Sequence, residues 1–349
     1  MYNTLLSLKN ILYSVLNWGL GHASRSVPVI EYLIDQGHNV YLASDGVALD
    51  FLKRRFPNSS FIELPAYDVK YSKGKSLSWK LLLQSPHLLR TIQKEKSFIK
   101  KLHKKEQFDL LISDNRFGAN INGIPSVYIT HQVNILSPIA QSLLKKLHAN
   151  IINQFDECWI PDYKGKVNLA GELSQDSQHL KCAVHYIGRL SHLKLDQVEK
   201  DYDVAYLLSG PEPQRSILEK KIIEQHPKEQ KAILVQGTLH KAVLYDHVEV
   251  VDLLDSIGLK RIISRSKKVV CRSGYSSIMD FCNTAVPVMM IATPGQSEQE
   301  YLADQLHSRF ENTQEQKQLD LQQANYACIK MDLENTAEDF RSRIQNILA

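Results

Sequence analysis

Short apolar runs recur along the chain, each closed by a glycine or polar loop and followed by a stretch of helical periodicity. Ile11 to Leu16 is the first such run and reads as a buried strand. Asn17 to His22 follows as a loop, and Ser26 to Gln36 reads as a helix, with Pro28 near its start and Gly37 just past its end. Asn39 to Ala43 is the next strand. Strand, glycine loop, helix, strand is the opening of a doubly wound α/β domain. The alternation continues with strands at Phe61 to Leu64, Phe108 to Ser113, Ser126 to Thr130, Glu157 to Ile160 and His185 to Ile187. Helices are expected over Lys80 to Lys105, interrupted at Pro86, and over Pro138 to Asn153.

Ser191 to Tyr202 is polar and charged and reads as a linker. A second series follows, with strands at Val204 to Leu208, Ala232 to Val235, Lys267 to Cys271 and Val288 to Ile291. Between and after them Gln214 to Gln225, Ser276 to Cys282 and Gln299 to Leu306 read as helices, and Leu321 to Leu348 as terminal helices. The expected architecture is α/β, with two Rossmann-like parallel-sheet domains facing a central cleft. They divide as residues 1–190, residues 200–330, and a C-terminal helix over 331–349 that packs back on the first domain. Loops at the carboxyl ends of the strands would line the cleft.

Length and composition agree with this. The chain has 349 residues, more than one α/β domain usually holds, and it is 43% hydrophobic and 23% charged, as soluble globular proteins are. Its formal charge of +4 is too small to point to nucleic acid. One local excess runs from Arg90 to Lys105, where seven basic residues face only Glu95; it reads as a solvated helix face or as a peripheral membrane contact. The five cysteines lack the spacing of a metal site or a disulfide framework, so a reducing compartment is expected. Lys9 and Asn10 interrupt the start early, no apolar run is long enough to span a bilayer, and the expected location is the cytoplasm or the inner face of the membrane.

Four loops fall where chemistry would sit. Gly19 and Gly21 allow either a simple turn or close approach of a ligand, and His22 lies at the strand–helix junction. The spacing is neither Gly-x-Gly-x-x-Gly nor a P-loop, so a nicotinamide cofactor is not expected. Arg272-Ser273-Gly274-Tyr275-Ser276 also joins a strand to a helix, with Asp280 one turn further; a phosphate at the helix start and a ribose on Asp280 compete with a plain cap and a surface charge. Gln299 and Glu300 open another helix and would suit sugar hydroxyls. His131, followed by Gln132 and Asn134, ends a strand beside Asp114-Asn115-Arg116 in the first domain.

Together these residues resemble the GT-B glycosyltransferases, in particular the family 28 branch that contains the bacterial lipid I N-acetylglucosaminyltransferase. The resemblance rests on Val269 to Gly274 and Asp280, on Pro287, on Gln299-Glu300-Tyr301, on Gly19-Leu20-Gly21-His22, and on Gly123-Ile124-Pro125 with His131, Gln132 and Asn134. Asp280 replaces the family's glutamate and Glu300 its second glutamine. The Gly-Gly-Ser-rich loop is replaced by Ser209-Gly210-Pro211-Glu212-Pro213-Gln214-Arg215. The resemblance implies transfer of a sugar, N-acetylglucosamine or another hexose, from a UDP-sugar to a glycan or lipid-linked acceptor. The donor would be a substrate, with no cofactor and no metal. The second domain would hold the nucleotide: Leu254 and its neighbours the base, Arg272, Ser273, Gly274 and Ser276 with Gly210 and Arg215 the diphosphate, Asp280 the ribose, and Gln299 and Glu300 the sugar. The first domain would take the acceptor, with His22, and after it His131, as base. A nucleotide-sugar hydrolase, a UDP-sugar 2-epimerase and a sugar-binding module are the alternatives.

Overall fold

The computed structural model describes residues 8–67, 86–135, 141–191, 193–238, 245 and 247–349. The first sheet has seven parallel strands: β1 (Asn10–Val15), β2 (Asn39–Ser44), β3 (Ser60–Glu63), β4 (Leu110–Asp114), β5 (Ser126–Ile129), β6 (Glu157–Ile160) and β7 (Ala183–Tyr186). Their order is β3-β2-β1-β4-β5-β6-β7. Helices α1 (Leu20–Asp35), α2 (Gly46–Arg55), α3 (Pro86–Glu106) and α4 (Gln141–Ile152) connect them. The central strands β4 and β5 are buried at every residue, which is why they read as largely apolar runs.

A second parallel sheet holds β8 (Tyr202–Leu207), β9 (Ala232–Val235), β10 (Val248–Val251), β11 (Ser266–Arg272), β12 (Val288–Ala292) and β13 (Thr313–Glu315), in the order β10-β9-β8-β11-β12-β13. Its helices are α5 (Gln214–Gln225), α6 (Ser256–Ser264), α7 (Tyr275–Phe281) and α8 (Ser297–Phe310). In each sheet the strand order reverses beside its first strand. The crevices therefore open at the carboxyl ends of β1 and β4 in one half and of β8 and β11 in the other. Helix α9 (Phe340–Leu348) returns to the first half, where Phe340 and Ile344 join the core around Ile11, Val27 and Trp159.

The structure corrects several boundaries. Helix α1 begins at Leu20 and not at Ser26, because side chains of its first two turns are tied to Asp114 and Gly21 packs on Ser276. These tertiary contacts outweigh the local signal of Pro28, which lies inside the helix. Of the stretch Leu321 to Leu348 only α9 is helical. Ala327 bridges Val288, Asn283 exchanges two hydrogen bonds with Met331, and Leu321, Ile329 and Met331 are buried, so the chain follows the second half in extended form. The pattern also misses α2, β10, α6 and β13. The expected helical residues 80–85 and 138–140 lie outside those described.

The basic stretch lies on α3. Leu88, Thr91, Glu95 and Ile99 form its buried face, while Arg90, Lys94, Lys100, Lys101, Lys104 and Lys105 are exposed with Leu89 and Phe98. No helix among the described residues is long and apolar enough to cross a membrane.

Candidate active site

His22, Arg25 and Ser26 share one face of α1, as residues three and four apart must. That face points at Asp114, the last residue of β4, whose partner in register is Val15 at the end of β1. His22 Nδ1 lies 2.7 Å from Asp114 Oδ1. Arg25 grips the same carboxylate with two bonds, Nε to Oδ2 at 2.7 Å and Nη2 to Oδ1 at 2.5 Å. Ser26 donates its hydroxyl to the His22 carbonyl at 2.8 Å and lies 3.3 Å from Asp114 Oδ2. Burial by itself would push the Asp114 carboxyl up, but the Arg25 guanidinium and His22 hold it at about 2. It is a permanent anion, so Nδ1 of His22 carries the hydrogen between them. Nε2 then keeps a lone pair, and no described residue hydrogen-bonds to it. Burial and the Arg25 cation together lower the His22 pKa against the pull of Asp114, so the ring is neutral at neutral pH.

The chain crosses to the second half through His131. Arg25 Nη1 is 2.9 Å from His131 Nδ1, and His131 Nε2 is 2.8 Å from Oε1 of Glu298, in the first turn of α8. The His131 ring also stacks on Tyr275, with centroids 4.0 Å apart and planes 5° off parallel. Tyr275 donates its hydroxyl to the Pro161 carbonyl across the same boundary at 2.5 Å. Gly21 meets Ser276 here, and a Cβ at Gly21 would stand 2.7 Å from Ser276 Oγ. A side chain there would push Ser276 aside. Gly19 needs its residue type for a different reason, a φ of +94° as it caps α1.

In the second half Arg272 ends β11 and is 1% exposed. Its Nη1 and Nη2 donate to the carbonyls of Ala292 and Gln214, at 3.1 and 3.0 Å, and its Nε is buried with no partner. Burial lowers its pKa to about 10, which leaves it charged at neutral pH. The other buried arginines among the described residues, Arg25, Arg116 and Arg215, all pair with carboxylates. Thr293 Oγ1 after β12 and Gln236 Oε1 after β9 are also buried without partners, and Gly210 lies beside Thr293. These orphaned groups ring the carboxyl end of the second sheet. A polar ligand at that end of the sheet would satisfy them.

The other expected residues fare unevenly. Arg215 is corrected: its guanidinium is spent on Glu212, Glu219 and Ser216, so it has no free fork for a phosphate. Ser273 donates to the Gln299 carbonyl and is closed off. Gln299 receives the Thr293 amide and donates to Gln296, and Glu300 receives the Gly295 amide, so both shape their own loop. Gly274 caps α7 and faces open space, and Ser276 lies against the first half. Asp280 accepts from Ser191 Oγ at 2.6 Å, and burial raises its pKa to about 6. Leu254 packs partly buried in the loop between β10 and α6. Arg25 was missed, and Glu298 and Tyr275 were given no role of their own. Arg25 was legible as the residue one turn from His22, and Glu298 as the acid beside Gln299.

Two Rossmann-like parallel sheets whose switch points face one another define the GT-B fold. Residues 9–141 match glycosyl transferase family 1, and residues 212–348 match the glycosyltransferase family 28 C-terminal domain. Both halves thus match glycosyltransferase families, the second being similar to the family 28 C-terminal domain, and the fold they share is GT-B. It is 22% identical over 327 residues to an uncharacterized glycosyltransferase of Methanosarcina mazei, covering 83% of this chain and 81% of that protein. Arabidopsis thaliana UGT89C1 complexed with UDP-L-rhamnose superposes with a TM-score of 0.58 at 11% identity, over 90% of this chain and 87% of that one. The Streptomyces sp. SF2575 glycosyltransferase SsfS6 complexed with thymidine diphosphate gives 0.56 at 16%, over 88% and 87%. The matched families are transferases, and the hydrolase and epimerase alternatives gain nothing from them.

Proposed function

We propose that this glycosyltransferase takes its sugar from a nucleoside diphosphate donor, UDP-linked, and that His22 is the base that activates the acceptor hydroxyl. One observation carries the donor side: Arg272, a buried guanidinium without a carboxylate, at the switch point of the second sheet. A diphosphate beside it would receive Arg272 and the open backbone N–H groups after Gly274. Asp280 lies one turn along α7; the second oxygen of its carboxylate takes no hydrogen bond from a described residue and suits a ribose hydroxyl. The loop with Leu254, after β10, would flank the base.

In the reaction the acceptor oxygen attacks the anomeric carbon as the bond to the diphosphate oxygen breaks. The acceptor proton passes to His22 Nε2, and the nucleoside diphosphate leaves with the bonding electrons. Asp114 stabilises the imidazolium that forms, and Arg272 the charge that grows on the leaving group. Such a single displacement inverts the anomeric centre. In this reading the leaving-group charge falls to Arg272 and the backbone.

UDP-L-rhamnose and thymidine diphosphate, each complexed with a neighbour of the same fold, support a nucleotide donor and leave the base to be tested. Calorimetric titration of the full chain with UDP, TDP and GDP does so. UDP is expected to bind most tightly. Heat from none of the three at millimolar concentration would end the donor reading. Release of UDP from UDP-N-acetylglucosamine and UDP-glucose, with glycan and lipid-linked acceptors, then identifies the sugar.

A further inference from the structure

Asp114 receives more than a base needs. A carboxylate behind a histidine usually raises that histidine's proton affinity, and two charged groups in a dry site do so strongly. Here Arg25 stands on the same carboxylate through two hydrogen bonds and is itself 3% exposed. A guanidinium has five donors and no acceptor, and it is never deprotonated in proteins. Its Nη1, 2.9 Å from His131 Nδ1, therefore requires a lone pair on that nitrogen. The His131 proton must then sit on Nε2, where Glu298 of the second half accepts it. The two histidines are held in opposite tautomers by one arginine: His22 with its proton on Nδ1, His131 with its proton on Nε2.

We propose that Arg25 is a positioning residue for this centre: it neutralises Asp114, so that His22 is oriented by a carboxylate without being made cationic by it, and it is locked across the domain boundary by His131 and Glu298. This rests on the reading of His22 as base. Every element packed against His22 contributes to the balance. Arg25 comes from α1, Asp114 from β4, His131 from the loop after β5 and Glu298 from α8, while the buried phenol of Tyr13 on β1 faces Asp114 and Arg25. Two carboxylates and one guanidinium surround two neutral rings. Arg25 lowers the His22 pKa and Asp114 raises it, which agrees with the geometry. Glu298 belongs to the half that holds the donor, so the lock is complete only while the halves are closed.

The test is nitrogen NMR of the full chain with labelled histidine, with His22 and His131 assigned from His22→Gln and His131→Gln. In the wild type both rings should be neutral at pH 7, His22 protonated on Nδ1 and His131 on Nε2. A His131 proton on Nδ1 would overturn the proposal without any change at Arg25. In Arg25→Gln the midpoint of His22 should rise by about one pH unit or more, and the acidic limb of kcat/KM should move with it. Arg25→Lys, which keeps the charge without the fork, should restore the His22 midpoint while freeing the His131 tautomer. A folded Arg25→Gln variant with an unmoved His22 midpoint would remove Arg25 from this role. The base reading fails separately, if His22→Gln keeps full turnover.

Discussion

Two buried arginines mark the two halves of this enzyme, and they are in opposite states. Arg25 in the first half has a partner at every nitrogen, with two bonds to Asp114 and one to His131. Arg272 in the second half touches only carbonyls and leaves Nε without a partner. A buried charge with its counter-ion is part of a finished structure. A buried charge without one is costly and is kept where a ligand brings the opposite sign. On the proposed reading the first half is assembled before substrate arrives, and an anionic donor would complete the second.

The comparison can be broken in several places. The largest effect belongs to His22→Ala, which should lower turnover about 10²- to 10⁴-fold while leaving nucleotide affinity in place; turnover is read as UDP release in the presence of acceptor. Arg25→Met should follow. It strands the Asp114 carboxylate in a dry site and should cost about 3–5 kcal/mol in urea unfolding. An unchanged midpoint would mean that the first half is not held as described.

A smaller effect tests Asp280. Its carboxyl is raised to about 6 in the folded chain, above the unfolded value of about 4. A raised acid stabilises the fold below the unfolded pKa and loses that contribution as pH rises through the folded pKa. The wild type should therefore lose about 1 kcal/mol more than Asp280→Asn between pH 4.5 and 7, a value reduced for partial exposure. Urea midpoints at the two pH values measure it, and parallel curves would mean that Ser191 holds the carboxylate as an ordinary surface group.

Much of this was legible in the sequence, for reasons that can be named. β4 and β5 are buried on both faces, so their apolar runs stand out, and β4 ends on Asp114 at the switch point. His22 was visible because it follows Gly19 and Gly21 directly after β1. Arg215 was misread although Glu212 and Glu219 stand three and four residues away on the same helix face, where they capture it. The Asp280–Ser191 and His131–Glu298 pairs join residues 89 and 167 positions apart, and no local pattern carries that. The segment from Leu321 to Asp339 failed because Ala327 and Met331 are bound to the second half and Thr336 and Glu338 to the first, which overrides helical periodicity.

Arg272→Met tests the central contrast most directly, by calorimetric titration with UDP beside thermal unfolding of the free protein. The substitution removes a buried charge that has no counter-ion and puts a side chain of similar length in its place. Affinity for UDP should fall about 10- to 100-fold, the loss of one charge-assisted contact, while the Tm of the free protein stays level or rises. A variant that binds UDP like the wild type, or one whose Tm falls as steeply as that of Arg25→Met, would contradict the account. Arg272 would then be a structural arginine like the others.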